Sequence, residues 1–242
     1  ERGLKGGYTE TPVDAIRFFP DGRKAVFGGK GGASRIDIPS GRFDRTFEPQ
    51  HYYAPNTSIS PNGQFVLSGF WGLEVWDVKN AKHVFAKNIG RIDNLRIFQS
   101  AIASNGKVAV SAFREQLVLW DLETGLIADR IRSLQNHIRY LVFSNNGKHF
   151  LCIHRNGSIS VWETAGLQKK CEILPGTRPV LSAIFLPDSH RFLVGHADGS
   201  LAIHDVASGR MMRGLRNRSL RVSTLALAPS TDLFATGTEK GT

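Results

Sequence analysis

A turn signal that returns at nearly constant spacing constrains this chain more than any other feature. It reads "PDG" (20–22), "PNG" (61–63), "SNG" (104–106), "NNG" (145–147), "PDS" (187–189) and "PST" (229–231). The third members stand 41, 43, 41, 42 and 42 residues apart. Pro sets φ for a turn, Asn or Asp bonds its own backbone, and Gly takes the positive φ. Six such turns at one period are the mark of a repeat architecture.

Each turn is flanked by short runs rich in β-branched, aromatic and small residues. "AIRFF", "TSIS", "SAIA", "YLVFS", "SAIFL" and "TLALA" precede the turns, and "KAVFG", "FVLSG", "VAVSA", "FLCIH", "FLVGH" and "LFATG" follow them. Every unit therefore reads as a hairpin. A third run ends on a carboxylate: "SRID" (Asp37), "LEVWD" (Asp77), "LVLWD" (Asp121), "ISVWE" (Glu163) and "LAIHD" (Asp205), at intervals of 40, 44, 42 and 42. A second turn follows at Gly41, Gly125, Gly166 and Gly209, and a more charged fourth strand closes the unit, as in "GLIADRIRS" and "GRMMRGLR". Four antiparallel strands every ~42 residues make the blade of a β-propeller. A lone sheet of this kind exposes both apolar faces, and stacking it between neighbours around an axis buries them.

The residues "VWD", "LWD" and "VWE" carry a resemblance to the WD-repeat (WD40) β-propellers, which extends over essentially the whole chain. The resemblance implies an all-β propeller of four-stranded blades, residues 1–242 forming one domain. Its repeats run approximately over 9–49, 50–90, 91–133, 134–175, 176–217 and 218–242. From Asp205, one further period places a sixth carboxylate just past Thr242, and "RGLK" (2–5) echoes "RGLR" (213–216) of a fourth strand. The expectation is five complete blades plus partial strands at both ends, a fragment of a longer, seven-bladed parent. In the alternative, a six-bladed ring is nearly closed by residues 1–8 pairing beside the last two strands.

The family pattern is incomplete here. Members carry a Gly-His pair before the first strand, whose His bonds to the strand-three Trp; the one such pair here, Gly195–His196, follows strand two. Ile36 and His204 replace Trp in the first and fifth units. Asp198 alone supplies the Asp-Gly between strands two and three, with Asn156–Gly157 as a near substitute. A mostly missing bracing network, with packing left to hold the blades, is expected.

The remaining motifs are accounted for by the repeat. "GGKGGAS" (28–34) lacks the Gly-Lys-Ser/Thr and following helix that cradle a phosphate, and Gly31 aligns with the turn glycines Gly157 and Gly199. His190, His196 and His204 occupy a turn, a hairpin end and the Trp slot without metal-ligand spacing. No Gly-x-Ser-x-Gly elbow occurs. No cofactor and no metal are expected. Cys152 and Cys171 are too few for a disulfide scaffold and read as buried thiols. No apolar run approaches the ~18–20 residues that cross a bilayer.

With 31 Lys+Arg against 21 Asp+Glu, the net charge is +10. Arg210, Arg213, Arg216, Arg218 and Arg221 cluster where the repeat places an outer strand and its following loop. Solvated charge that protects a sheet edge is favoured there over a nucleic-acid patch. In the propellers that the chain resembles, the loops after strand two and after strand four share a face. That register puts Tyr52, Tyr53, Trp71, Arg114, Arg155, Arg178 and Arg218 on it, and Tyr, Trp and Arg are the residues that most often anchor interfaces. The reading is a non-catalytic scaffold that binds other proteins, in a chain carrying other domains as well. Its rivals are a propeller hydrolase or lyase with an axial active site, and a nucleic-acid-associated propeller.

Overall fold

Short runs of alternating apolar residues, each cut off by an Asx-Gly turn, have only one way to bury their faces: hairpin upon hairpin. The computed structural model of the chain describes residues 13–19, 21–29, 32–47, 56–69, 72–80, 82–88, 97, 99–113, 115–132, 134, 136–216, 221–227 and 234–238. Five four-stranded sheets follow one another, each with its strands in chain order and antiparallel. Blade one is β1 (Val13–Phe18), β2 (Lys24–Gly29), β3 (Gly32–Asp37) and β4 (Arg42–Phe47). Blade two is β5 (Asn56–Ile59), β6 (Phe65–Gly69), β7 (Gly72–Asp77) and β8 (Lys82–Asn88). Blade three is β9 (Gln99–Ile102), β10 (Val108–Phe113), β11 (Gln116–Asp121) and β12 (Leu126–Ile131). Blade four is β13 (Ile138–Phe143), β14 (His149–His154), β15 (Ile159–Glu163) and β16 (Gln168–Ile173), with a 3-10 turn at Ala165–Leu167. Blade five is β17 (Val180–Phe185), β18 (Arg191–His196), β19 (Ser200–Asp205) and β20 (Met211–Arg216). A sixth sheet pairs β21 (Val222–Leu227) with β22 (Phe234–Thr238). The echo at residues 2–5 lies outside the described residues.

The turn chemistry read from sequence operates in all five blades. Asp21, Asn62, Asn105, Asn146 and Asp188 each accept from the backbone N–H two residues on, at 2.8–3.1 Å. The next residue is left-handed every time: Gly22, Gly63, Gly106 and Gly147 have φ of 65–72°, and Ser189 takes φ 60° without being glycine. At Gly106 the need is doubled, because a Cβ there would stand 2.3 Å from the Phe65 ring of the preceding blade.

The carboxylates ending strand three are turn caps. Asp37 accepts from the N–H and hydroxyl of Ser40, Asp205 from those of Ser208, Asp77 from the N–H and side-chain amide of Asn80, and Asp121 from the N–H groups of Glu123 and Thr124. Glu163, one methylene longer, instead reaches Lys170 Nζ at 3.3 Å. Its turn is closed by the 3-10 segment and by Thr164 Oγ1 donating to Gly147 O at 2.8 Å. In every complete blade strand four carries one extra residue opposite the Trp slot: Asp44, Val84, Ala128, Lys170 and Met212. Such bulges twist the outer strand and spoil it as a template for further pairing.

First strands stand side by side along the series, β1 by β5, β5 by β9, β9 by β13, β13 by β17 and β17 by β21, which makes them the hub. Each blade turns a leading face to its successor and a trailing face to its predecessor. Between blades four and five, Leu151, Ile153, Ile159 and Val161 lead, and Ala183, Phe185, Phe192 and Val194 trail. Trp76, Trp120 and Trp162 occupy equivalent trailing positions, packed with Val26, with Leu67 and Leu73, and with Val110 and Leu119 of the blade before. Polar bonds also cross the seams: Arg35 Nη1 donates to Val78 O at 2.5 Å, Asn62 Nδ2 to Ser104 O at 2.7 Å, and Asn146 N–H to Ser189 Oγ at 3.2 Å.

Candidate partner-binding face

Blades four and five show how one end of the molecule is built. The loop arriving from strand four is tied to the end of strand two in both. Arg155 N–H donates to His137 O and Ala197 N–H to Pro179 O, each at 2.9 Å. Beside these, His154 Nδ1 bonds Asn136 O at 3.3 Å, and His196 Nδ1 bonds Arg178 O at 3.2 Å. A carbonyl only accepts, so both rings hold their proton on Nδ1. Within each strand-two turn the side chain caps again: Asn156 accepts from Ser158 and Asp198 from Ser200, with Gly157 and Gly199 at φ 84° and 82°. The Ser200 hydroxyl and N–H, more than the nearby Arg178, hold the Asp198 carboxyl below its ordinary range.

Arg155 and Arg178 are the expected face residues that fall among those described, and both stand exposed at this end. Arg155 leaves its tied backbone for solvent. Arg178 Nε lies 3.1 Å from Asp198 Oδ2, a largely exposed pair worth ~0–1 kcal/mol. Tyr52, Tyr53, Trp71, Arg114 and Arg218 lie outside the described residues. The arginine cluster takes the place expected of it: Arg213 and Arg216 are on the outer strand β20, Arg210 directly precedes it, and Arg221 precedes β21.

The expectation that the bracing network would be mostly missing needs correction in blade four. Trp162 Nε1 donates to Ser160 Oγ at 2.7 Å, and Ser160 Oγ lies 2.8 Å from His154 Nε2. With Nδ1 protonated, Nε2 accepts the Ser160 proton. The chain Trp–Ser–His–carbonyl is thus fully satisfied by a neutral imidazole. Burial holds the His154 pKa below the ordinary 6.5. The family's His comes from the loop before strand one, whereas this one ends strand two. The available signal was His154 set six residues ahead of Ser160 and eight ahead of Trp162. In blade three Trp120 Nε1 finds Ser111 Oγ at 3.2 Å.

Other reactive groups are occupied structurally. The buried Cys152 thiol is pushed well up by desolvation. Cys171, also raised by burial, points its S–H at Val206 O across a seam at 3.6 Å. "GGKGGAS" runs from β2 into β3, strand to strand, with Gly29 paired to Gly32. Among the described residues no group of three His, Cys, Asp or Glu is placed to hold a metal. No helix among them is long and apolar enough to cross a membrane.

Residues 128–163 match the family model described as "WD domain, G-beta repeat". The matched stretch runs from the outer strand of blade three through the first three strands of blade four, ending on Glu163 after Trp162. Residues 128–163 are thus matched as a WD repeat, set within a β-propeller of five four-stranded blades. A curated relative, "Periodic tryptophan protein 2 homolog" of Neurospora crassa, is 25% identical over 100 residues. That similarity covers 41% of this chain and 11% of the relative, so the chain spans only a small part of the protein that it matches.

Proposed function

We propose that this chain is a non-catalytic module that holds other proteins on the face formed by its strand-two turns and strand-four loops. The observation that carries the reading is the double tie in blades four and five, where backbone and imidazole bonds fix loop to turn. Loops held in one conformation lose little entropy when a partner docks. Over them stand Arg155, the exposed stretch 174–179, and within it Arg178, whose one ion pair, to Asp198, is itself largely exposed. Tyr52, Tyr53, Trp71, Arg114 and Arg218 belong to the same proposed face by register.

Charge reversal tests this reading directly. Arg155→Glu combined with Arg178→Glu should leave the melting temperature within a few degrees, because both side chains are exposed. In-cell cross-linking followed by mass spectrometry should then lose partners that the unaltered chain retains through this face. An unchanged set of cross-linked partners would reject the assignment of the face.

A further inference from the structure

The chain has four sulfur side chains, two of cysteine and two of methionine, and the fold treats the two kinds in opposite ways. Cys152 is fully buried in blade four. Cys171 is half-buried, its S–H turned to Val206 O. Burial raises both thiols, and it is the thiolate that attacks an oxidant. Met211 and Met212, by contrast, are 63% and 61% exposed. A thioether has no proton to lose, so its oxidation follows exposure alone.

The exposure is built by the local structure of β20. Register pairs Met211 with His204 and Arg213 with Ile203, which makes Met212 the extra residue of the outer-strand bulge. The equivalent positions in blade four are Lys169 and Lys170, also exposed although a complete blade stands on either side. Openness here is therefore a property of the outer strand itself. Blade four ties Lys169 to Glu172, three residues on, at 2.7 Å. In blade five the same two positions hold Met211 and Gly214. A Cβ added to Gly214 would stand 4.0 Å from Met211 Sδ and meet nothing closer. The Met211 thioether thus lies over bare backbone, with no side chain at 214 to shield it. Solvated lysines protect a sheet edge; two adjacent thioethers do not, and no packing in blade five uses them.

We propose that Met211 and Met212 form an oxidation site that takes oxygen from hydrogen peroxide and turns the apolar start of β20 polar while the blade stays folded. In each step the Sδ lone pair forms an S–O bond to one peroxide oxygen as the O–O bond breaks. The second oxygen leaves with both protons as water; sulfur gives up two electrons and the peroxide gains them. The product, methionine sulfoxide, is polar and can be reduced again enzymatically. The site does not rest on the proposed binding face, since β20 begins at the end of the blade opposite the strand-two turns.

Peroxide treatment of the 242-residue chain, followed by peptide mapping over time, tests the proposal. Met211 and Met212 should each gain one oxygen while Cys152 and Cys171 remain unoxidised. An internal control is Leu151→Met, which sets a thioether at a fully buried position with little change of volume. The residue introduced there should react at least ~10-fold more slowly than Met211 and Met212. The melting temperature of the oxidised chain should stay within about 2 °C of the untreated one. Gly214→Leu should slow Met211 about threefold or more and leave Met212 unchanged, because the new side chain covers one sulfur alone. Oxygen uptake first at either cysteine would overturn the site, as would a buried control that reacts as fast as the pair. Loss of the cooperative melt on oxidation would overturn it too, since the two sulfurs would then have been part of the packing. An unchanged Met211 rate in Gly214→Leu would refute the open thioether over residue 214.

Discussion

Blades four and five differ by one ring in an otherwise shared frame, and the difference separates packing from polar bracing. Phe150 stacks on Trp162 with centroids 6.4 Å apart, and Phe192 stacks on His204 at 5.3 Å. Both stacks are near parallel, at 8° and 15°, and both rings face the preceding blade. Their donors go different ways. Trp162 feeds the Ser160–His154 chain, whereas Ala202 leaves blade five without the hydroxyl and His204 Nδ1 turns to Gly209 O at 2.9 Å. The slot requires a flat ring filling the seam and one satisfied N–H; it does not prescribe where the N–H points. Hence a His can stand where the family has Trp, and the loop tie at His196 persists although the Trp network is gone.

Substitutions in the two blades probe this division. Trp162→Ala removes the larger ring and its bond and should cost ~3–5 kcal/mol in urea unfolding, while His204→Ala should cost ~1–3 kcal/mol. Equal costs would mean that the seam is insensitive to ring size and would undo the comparison. Ser160→Ala leaves Trp162 N–H and His154 Nε2 facing each other's absence, at ~1–3 kcal/mol. A null effect there would show that packing alone holds blade four. Across the same seam, Ser189→Ala keeps the left-handed strain and loses the bond from Asn146, costing ~1 kcal/mol. Ser189→Gly relieves the strain as it loses that bond and should be close to neutral. If both variants lose equally, the φ of 60° carries no cost.

The mildest effect is expected in pH. Burial holds the His154 and His204 pKa values below the ordinary 6.5. Above that value both the folded and unfolded forms are neutral there. As pH falls through it, the unfolded chain takes up protons first, so stability declines until the lower folded values are passed. The urea midpoint should therefore fall between about pH 7.5 and pH 5.5. His204→Phe should flatten that decline by the share of blade five, leaving the shares of His154 and of His149, whose pKa burial also holds down. A midpoint that ignores His204→Phe would place the acid sensitivity elsewhere.

How far the site could be read ahead differs from residue to residue. The turn at Ser189 was legible although Gly was missing, because Pro187 and Asp188 kept the register and the backbone followed. The third strands end on the carboxylates that the spacing singled out, since an Asp that caps a turn both ends a strand and announces the next. The His154–Ser160–Trp162 chain was not legible in the same way. Its members lie on two strands, and only their pairing brings the imidazole to the hydroxyl. The same holds for the tie between Arg155 N–H and His137 O, a backbone bond with no side-chain signature.

Period, turns, strand ends and the Trp slot were determined by sequence alone, because each is a local matter of allowed φ, Asx capping and alternation along one strand. Which apolar faces are covered was decided only by tertiary structure. Phe18 and Phe143 are the same residue at the same repeat position, followed by the same kind of turn, and one is open where the other is buried. Burial belongs to the neighbour as much as to the side chain, and a repeat cannot state in its own residues whether a neighbour is present.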